Sequence, residues 1–311
     1  MKYYLGIDIG GTSVKGVIAD ENGHIIADGS VPTHSVTGGG DLLCADIAAL
    51  CKDLEGRASV TAEAAGVSCA GMIAEDGTVI FAGNLNLKNY PLSERLQNLV
   101  KIPVKVINDA NAAALGEAAY GAGKNYSDSV FITLGTGVGG GIIIDGKLFT
   151  GGHGAGAEIG HIVINHGGKQ CTCGRRGCFE AYASATALIR DTRAAMEEDT
   201  GSLMWKSYDL STVDGKTAFE YADRDEAAKK VVENYIWNLA CGIINLANIF
   251  RPQAIILGGG VAEQGDNLIV PLQKRLDAKI FGGQEYAPVK IVKASLGTSA
   301  GALGAVKSVI K

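Results

Sequence analysis

At 311 residues the chain exceeds what one hydrophobic core usually serves, since cores stop growing near ~250–300 residues, and it suits two domains. With 47% hydrophobic and 20% charged residues it has the balance of a folded globular protein and lacks the low-hydrophobicity, high-charge composition of a disordered one. A formal charge of −5 without a Lys/Arg run argues against nucleic-acid or anionic-membrane partners, and no stretch approaches the ~18 apolar residues of a membrane span.

Residues 2–9 form an apolar run, and Asp20-Glu21-Asn22-Gly23 separates two strand-like runs at 14–19 and 24–27, as a hairpin turn does. Over 41–56, Leu43, Ile47, Leu50 and Leu54 recur at helical spacing. Strands are expected at 64–69, 78–82 and 103–107, and helices at Pro91–Val100 and Asp109–Tyr120, the latter stopped by Gly121 and Gly123. A second cycle follows, with a strand at Ser129–Leu134, a glycine turn, and a strand at Gly141–Asp145. LGIDIGGTSVKGVIAD near the start and VFITLGTGVGGGIIID have the same layout about 125 residues apart, which reads as a duplicated domain rather than a solenoid with its period of ~20–50. A long helix at 225–250, a buried strand at Ala254–Leu257, a strand at 289–293 and a closing helix complete the chain. Alternating strands and helices specify an α/β class, with a cleft expected between two halves.

The 44 glycines are about 14% of the chain against a usual ~7%, so backbone must turn tightly or approach a ligand closely. In the turn Asp8–Lys15, successive N–H groups of Gly10, Gly11 and Thr12 can hold phosphate oxygens, with Asp8 beside them for a metal-bound water. Gly135, Thr136 and Gly137 offer the same hardware in the second turn. Gly135-x-Gly137-x-x-Gly140 also fits the dinucleotide fingerprint, but Ile142-Ile143-Ile144 is a strand where that fingerprint needs a helix, so the NAD reading fails. Gly258 and Gly259, after a buried strand, suit close approach of a nucleotide or close strand–helix packing.

The N-terminus carries one lysine and an apolar stretch broken at Asp8, which does not fit a secretory signal. Seven cysteines are an odd count for a disulfide framework, and a cytoplasmic location is expected. Cys44, Cys51, Cys69 and Cys241 read as reduced, buried thiols. Cys171, Cys173 and Cys178 cluster, and with His161 they make a full tetrahedral set for structural Zn²⁺, with His166 a rival for the imidazole position. Asn108-Asp109 stands where a strand ends and a helix begins, a position for an N-cap or for ligand binding in an α/β protein. Glu158, His161 and Glu180 gather around the knuckle as readers of a polyhydroxylated ligand. The set suggests phosphoryl transfer, with one aspartate deprotonating a hydroxyl in line with a γ-phosphate.

The sequence resembles the ROK family (repressors, uncharacterised frames and sugar kinases) over essentially its whole length. DIGGTSVKG (8–16), NDANAAALGE (108–117), LGTGVGGG (134–141), AEIGHIVI (157–164), CTCGRRGCFE (171–180) and LGGGV (257–261) carry the resemblance. It implies an actin-like, ribonuclease-H-like duplicated fold, with a small domain over 1–118 completed by a C-terminal helix at 298–311, and a large domain over 119–297. It implies ATP with Mg²⁺, phosphorylation of a hexose at its 6-hydroxyl, most simply glucose, and a homodimer or homotetramer. Fructose, mannose and N-acetylhexosamines are alternative substrates. By position Asp109 matches the family's catalytic base; Asn108, Glu158, His161 and Glu180 match its sugar contacts; and His161, Cys171, Cys173 and Cys178 match its zinc ligands. Asp8, Gly10, Gly11, Thr12, Lys15, Gly135, Thr136, Gly137, Gly258 and Gly259 are the expected nucleotide contacts. Two departures stand out: Gly156-Ala157-Glu158 replaces the usual Ala-Gly-Glu, and Ala70-Gly71 replaces a frequent Pro-Gly. A sugar-sensing regulator of this family is the rival from another class; its extra N-terminal DNA-binding domain finds no room before a strand that begins by residue 3.

Overall fold

The computed structural model describes residues 1–310, so the expected helix end at Lys311 lies outside them. The chain divides into two compact units. One comprises Met1–Ser127, Gly141–Ala157 and the chain from Ser295 onward; the other comprises Asp128–Gly140 and Glu158–Ala294.

In the first unit, β1 (Tyr3–Ile9), β2 (Ser13–Asp20) and β3 (Ile25–Pro32) form an antiparallel meander. The turn between β2 and β3 is held by Asp20, whose Oδ1 accepts the N–H groups of Asn22 and His24 at 2.8 and 3.0 Å, while Gly23 takes a φ of 80°. Helix α1 (Ser35–Ala58), longer than expected and broken at Gly39, leads to β4 (Ala65–Cys69), which lies parallel to β1. All five residues of β4 are buried, as a strand covered on both faces must be. A small sheet of β5 (Met72–Ile73), β6 (Val79–Ala82) and β7 (Leu87–Tyr90) follows, then α2 (Leu92–Val100), β8 (Val104–Asn108) and α3 (Asp109–Tyr120). The main sheet runs β3-β2-β1-β4-β8.

The second unit carries β9 (Ser129–Leu134). Strand β10 (Val138–Ile144) begins there and crosses into the first unit, where β11 (Lys147–Phe149) pairs with it. The strand after the second glycine turn starts at Val138 rather than Gly141, which shortens that turn to Gly135–Gly137. Next come α4 (Glu180–Ala183), α5 (Ala185–Glu198), α6 (Thr217–Tyr221), α7 (Glu226–Phe250), β12 (Ala254–Gly258), α8 (Asp266–Lys279), β13 (Lys290–Lys293) and α9 (Ala300–Val309), the last in the first unit. This sheet runs β11-β10-β9-β12-β13, with β9, β12 and β13 parallel. The two orders are the same, which is the duplicated actin-like α/β fold.

Alternation along β1 sends Leu5, Ile7 and Ile9 to one face of the first sheet, where they pack with Leu43, Ile47, Leu50 and Leu54 of α1, and Tyr4 to the other, where it meets Ala302, Leu303 and Val306 of α9. Several glycines serve this second face. A Cβ on Gly66 would run into the Ala305 backbone, one on Gly304 into Ala112, and one on Gly116 into Ala300, so they let α9 seat directly on β4 and α3. No described helix is long and apolar enough to cross a membrane.

Candidate active site

The first glycine turn joins β1 to β2. Gly10 donates its N–H to Ser13 O at 3.0 Å, closing the turn on itself. A Cβ on Gly10 would lie 2.9 Å from Ser13 O, whereas at Gly11 it would meet nothing nearer than Asn84 Nδ2, 3.9 Å away. Packing therefore demands the first glycine and not the second, and an open Gly11 leaves room for a ligand against the backbone. Among the described residues, the N–H groups of Gly11 and Thr12 donate to no protein acceptor.

Asp8 stands opposite Lys15 across the hairpin and beside Ser68 on β4, whose hydroxyl donates to Asp8 Oδ1 at 2.6 Å. Gly301 of α9 backs the carboxylate, and a Cβ there would lie 2.7 Å from Oδ1. Burial pushes the Asp8 carboxyl above its ordinary range and the like charge of Asp109 adds to this, against the pull of Ser68 and Lys15. A hard, incompletely neutralised carboxylate of this kind fits a Mg²⁺ partner.

Asn108 and Asp109 divide the start of α3 between them. Asn108 is the N-cap: its Oδ1 accepts the N–H groups of Ala110 and Asn111 at 2.9 and 3.1 Å, and its Nδ2 donates to Gly71 O at 3.1 Å. Asp109, the first helical residue, accepts the Ala110 N–H at 2.9 Å through Oδ1. Its side chain reaches solvent, yet desolvation by the protein around it raises its pKa over the hydrogen bonds that lower it. Raised carboxylates at Asp8 and Asp109 mark this edge of the first sheet as a place with chemistry to do.

In the second unit the zinc-type residues converge. One ligand atom each from His161, Cys171, Cys173 and Cys178 lies within 4.8 Å of the others, and His166 is not part of the set. Cys173 Sγ and Cys178 Sγ are 3.7 Å apart, and Cys171 Sγ is 3.8 Å from His161 Nδ1. The edges of a tetrahedron with Zn–S bonds of ~2.3 Å and Zn–N bonds of ~2.0–2.1 Å are about 3.8 and 3.5 Å, so the four residues fit the ion. The loop that presents them turns on Gly174 (φ 89°) and Gly177 (φ 84°) and is closed by Cys171 N–H to Arg175 O at 2.9 Å. Burial pushes the Cys178 thiol up to about 12, while the Arg175 backbone N–H draws Cys173 down. With Nδ1 facing the thiols, His161 keeps Nε2 for another partner.

Glu180 joins this knuckle to the second glycine turn. Its Oε1 accepts the Thr172 hydroxyl at 3.1 Å and lies 3.6 Å from Cys171 Sγ, and its Oε2 accepts the Val138 N–H at 3.1 Å. Gly137 makes room for it, because a Cβ there would overlap Glu180 Oε2. The turn closes with Gly135 N–H to Gly137 O at 3.1 Å. Thr136 and Gly137 keep N–H groups with no acceptor among the described residues. Glu158 is exposed at the start of a short 3₁₀ turn, three residues from His161. At the end of β12, Gly258 packs under Phe131, and a Cβ at Gly259 (φ 82°) would lie 2.6 Å from Leu134 O, so at both positions packing needs the glycine.

Three groups had no local signal in the sequence. Glu117, wholly buried, accepts the N–H groups of Leu296 (2.7 Å), Ala122 (2.8 Å) and Ser295 (2.9 Å). Thr33 and Thr186 bind carbonyls of the two glycine turns. Apart from Ala122, five residues from Glu117, each partner lies 23 or more positions away in the chain, out of reach of periodicity.

Comparison with known proteins gives one consistent outcome. The ROK family model matches residues 4–311. A glucokinase of Halalkalibacterium halodurans is 38% identical over 97% of this chain and 93% of its own length. A xylose repressor of Bacillus subtilis is 30% identical, over 97% of this chain and 75% of its own. The crystal structure of a ROK family glucokinase from Streptomyces griseus in complex with glucose and AMPPNP has a TM-score of 0.81 and 36% identity, with 98% of each chain covered.

Proposed function

The chain belongs to the ROK family, and we propose that it is an ATP-dependent hexose kinase that transfers the γ-phosphate to the 6-hydroxyl of a sugar, with glucose preferred. In each unit by itself, free N–H groups suit phosphate oxygens, those of Gly11 and Thr12 in the first glycine turn and those of Thr136 and Gly137 in the second, and Lys15 and the Gly258–Gly259 strand end are the further nucleotide contacts that the family resemblance implies. Asp8 would hold Mg²⁺, which would supply neutralisation of phosphate charge. Asn108, Glu158, His161 and Glu180 contact the sugar. The Asp109 carboxylate accepts the proton of the 6-hydroxyl; that oxygen forms its bond to the γ-phosphorus as the bond to the ADP oxygen breaks, and the proton then passes to solvent. Zinc on His161, Cys171, Cys173 and Cys178 is structural, since four protein ligands close the site.

The observation that carries this reading is the division of labour at α3. Asn108 does the capping, so Asp109 is an acidic side chain at a helix start that the cap does not require, and its raised pKa is what a base poised nearer neutrality needs. A sensor that only binds sugar has no use for such a group, which favours the kinase over the regulator. The glucokinases of H. halodurans and S. griseus support glucose as the substrate. Reduced thiols in the knuckle suit the cytoplasm, and assembly as a homodimer or homotetramer is carried over from the family resemblance.

The test is ADP release by the purified protein with glucose, mannose, fructose, N-acetylglucosamine and N-acetylmannosamine, with Asp109→Asn as control. Turnover highest with glucose and lost in the variant is expected. If no sugar gives turnover above the variant, the kinase reading fails; if another sugar leads, only the preference changes.

A further inference from the structure

We infer that Thr33 and Thr186 are a pair of positioning residues, each hydroxyl pulling one carbonyl oxygen of a glycine turn backwards so that the N–H on the far side of that peptide faces the nucleotide. The inference rests on the nucleotide-binding reading of those turns and deepens it.

In the first unit, Thr33 directly follows β3, where Pro32 pairs with Ser13. Its hydroxyl donates to Gly10 O at 2.8 Å and its N–H donates to Thr12 O at 3.0 Å. In the second unit, α5 begins after the Ser184 cap, and two consecutive residues there do the equivalent work. The Ala185 N–H donates to Gly135 O at 2.8 Å and the Thr186 hydroxyl donates to Thr136 O at 2.7 Å. Each turn thus has two carbonyls tied from behind, one by a backbone N–H and one by a threonine hydroxyl.

The arrangement has a physical purpose. A peptide plane presents its N–H and C=O in opposite directions, so fixing a carbonyl oxygen fixes where the next residue's N–H points. Gly10 O fixes the Gly11 N–H and Gly135 O the Thr136 N–H; Thr136 O fixes the Gly137 N–H. These are N–H groups with no acceptor of their own among the described residues. Without the anchors, glycine peptides rotate freely and would have to be ordered by the ligand at the cost of affinity. The clamps come from unrelated local structure, a strand end and a helix start, so the two halves reach the same solution by different routes.

The test compares Thr33→Val and Thr186→Val with Thr33→Ser and Thr186→Ser. Equilibrium binding of AMPPNP with Mg²⁺ is measured by calorimetry, together with KM for ATP, KM for the sugar and the melting temperature. Each valine variant is expected to weaken AMPPNP binding and raise KM for ATP about three- to tenfold, the scale of one hydrogen bond. The KM for the sugar should be unchanged, the melting temperature should fall by no more than a few degrees, and each serine variant should restore binding to within about twofold. Valine variants that bind AMPPNP like the wild type overturn the inference, as does a loss that raises both KM values alike. A wild-type protein that binds no AMPPNP overturns the kinase reading as well. Should valine prove too bulky to fold, Thr33→Ala and Thr186→Ala carry the same comparison.

Discussion

The carboxylate of Glu180 accepts the backbone N–H of Val138 at 3.1 Å, and with its other oxygen takes the Thr172 hydroxyl inside the cysteine knuckle. One side chain therefore ties a metal-type loop to the second glycine turn. Zinc removal should be felt at the nucleotide. Elemental analysis is expected to give about one zinc per chain for the four-ligand set. Stripping it with a chelator should lower the melting temperature and raise KM for ATP together. A Cys173→Ser variant that keeps full zinc and stability would sink the assignment of that ligand.

Asp109→Asn should cut kcat by about 10²–10⁴-fold with the fold intact, because the asparagine oxygen can still accept the Ala110 N–H. The sign of its pH effect follows from the raised pKa. In the folded protein the charged carboxyl is disfavoured relative to the unfolded chain, where 3.8 is ordinary. Stability is lost as the group ionises, so the variant should melt above the wild type at neutral pH. That advantage should shrink as pH falls through the folded pKa and vanish below 3.8. The acid limb of kcat/KM should lie above the usual carboxylate range. A melting difference that grows on acidification would contradict this.

Glu117→Ala should be severe. It would leave the N–H groups of Leu296, Ser295 and Ala122 without their buried acceptor, for a loss of at least about 3 kcal/mol in urea unfolding. Glu117→Gln, which retains one acceptor oxygen, should lose less. Equal losses would show that charge, not hydrogen bonding, holds the segment.

Ala157 occupies the left-handed region at φ 67°, at the point where the chain passes from one unit to the other before Glu158. Alanine there carries a strain of about 1–2 kcal/mol that glycine does not. Ala157→Gly should therefore stabilise the protein by about 1 kcal/mol net of the glycine's greater unfolded-state freedom, a rise of about 2–4 °C in melting temperature. A lower melting temperature would show that the loop needs alanine's restriction more than it suffers from its strain.

Much of the fold was legible because its signals are local. The Asp20–Gly23 hairpin, the cysteine spacing and the two glycine turns are each written within a dozen residues, and the structure forms the hairpin, gathers the four ligand atoms and closes both turns. The helices α5 and α8 leave no clear periodic signal because charge interrupts their apolar positions, and α6 leaves none because five residues are too few to show a period. The glycine surplus was read too narrowly. Gly66 and Gly116 admit no Cβ because α9 lies against them, and Gly304 of α9 admits none because α3 does, a requirement that appears only when residues some 180–240 positions apart meet. Thr33 and Thr186 were missed for the same reason: nothing near them in the chain announces which carbonyl they will hold.

The seat of α9 on β1 and β4 also sets an order of events during synthesis. Tyr4, Val17 and Ala19 form an apolar face that Ala302, Leu303 and Val306 of the closing helix cover, and Glu117 has no Leu296 to hold until the C-terminus exists. A nascent chain emerging N-terminus first at ~5–20 residues per second must make all of Glu158–Ala294 before that helix appears. For on the order of ten seconds the newborn protein displays a sticky, unfinished sheet. The first half to leave the ribosome is thus the last to be sealed.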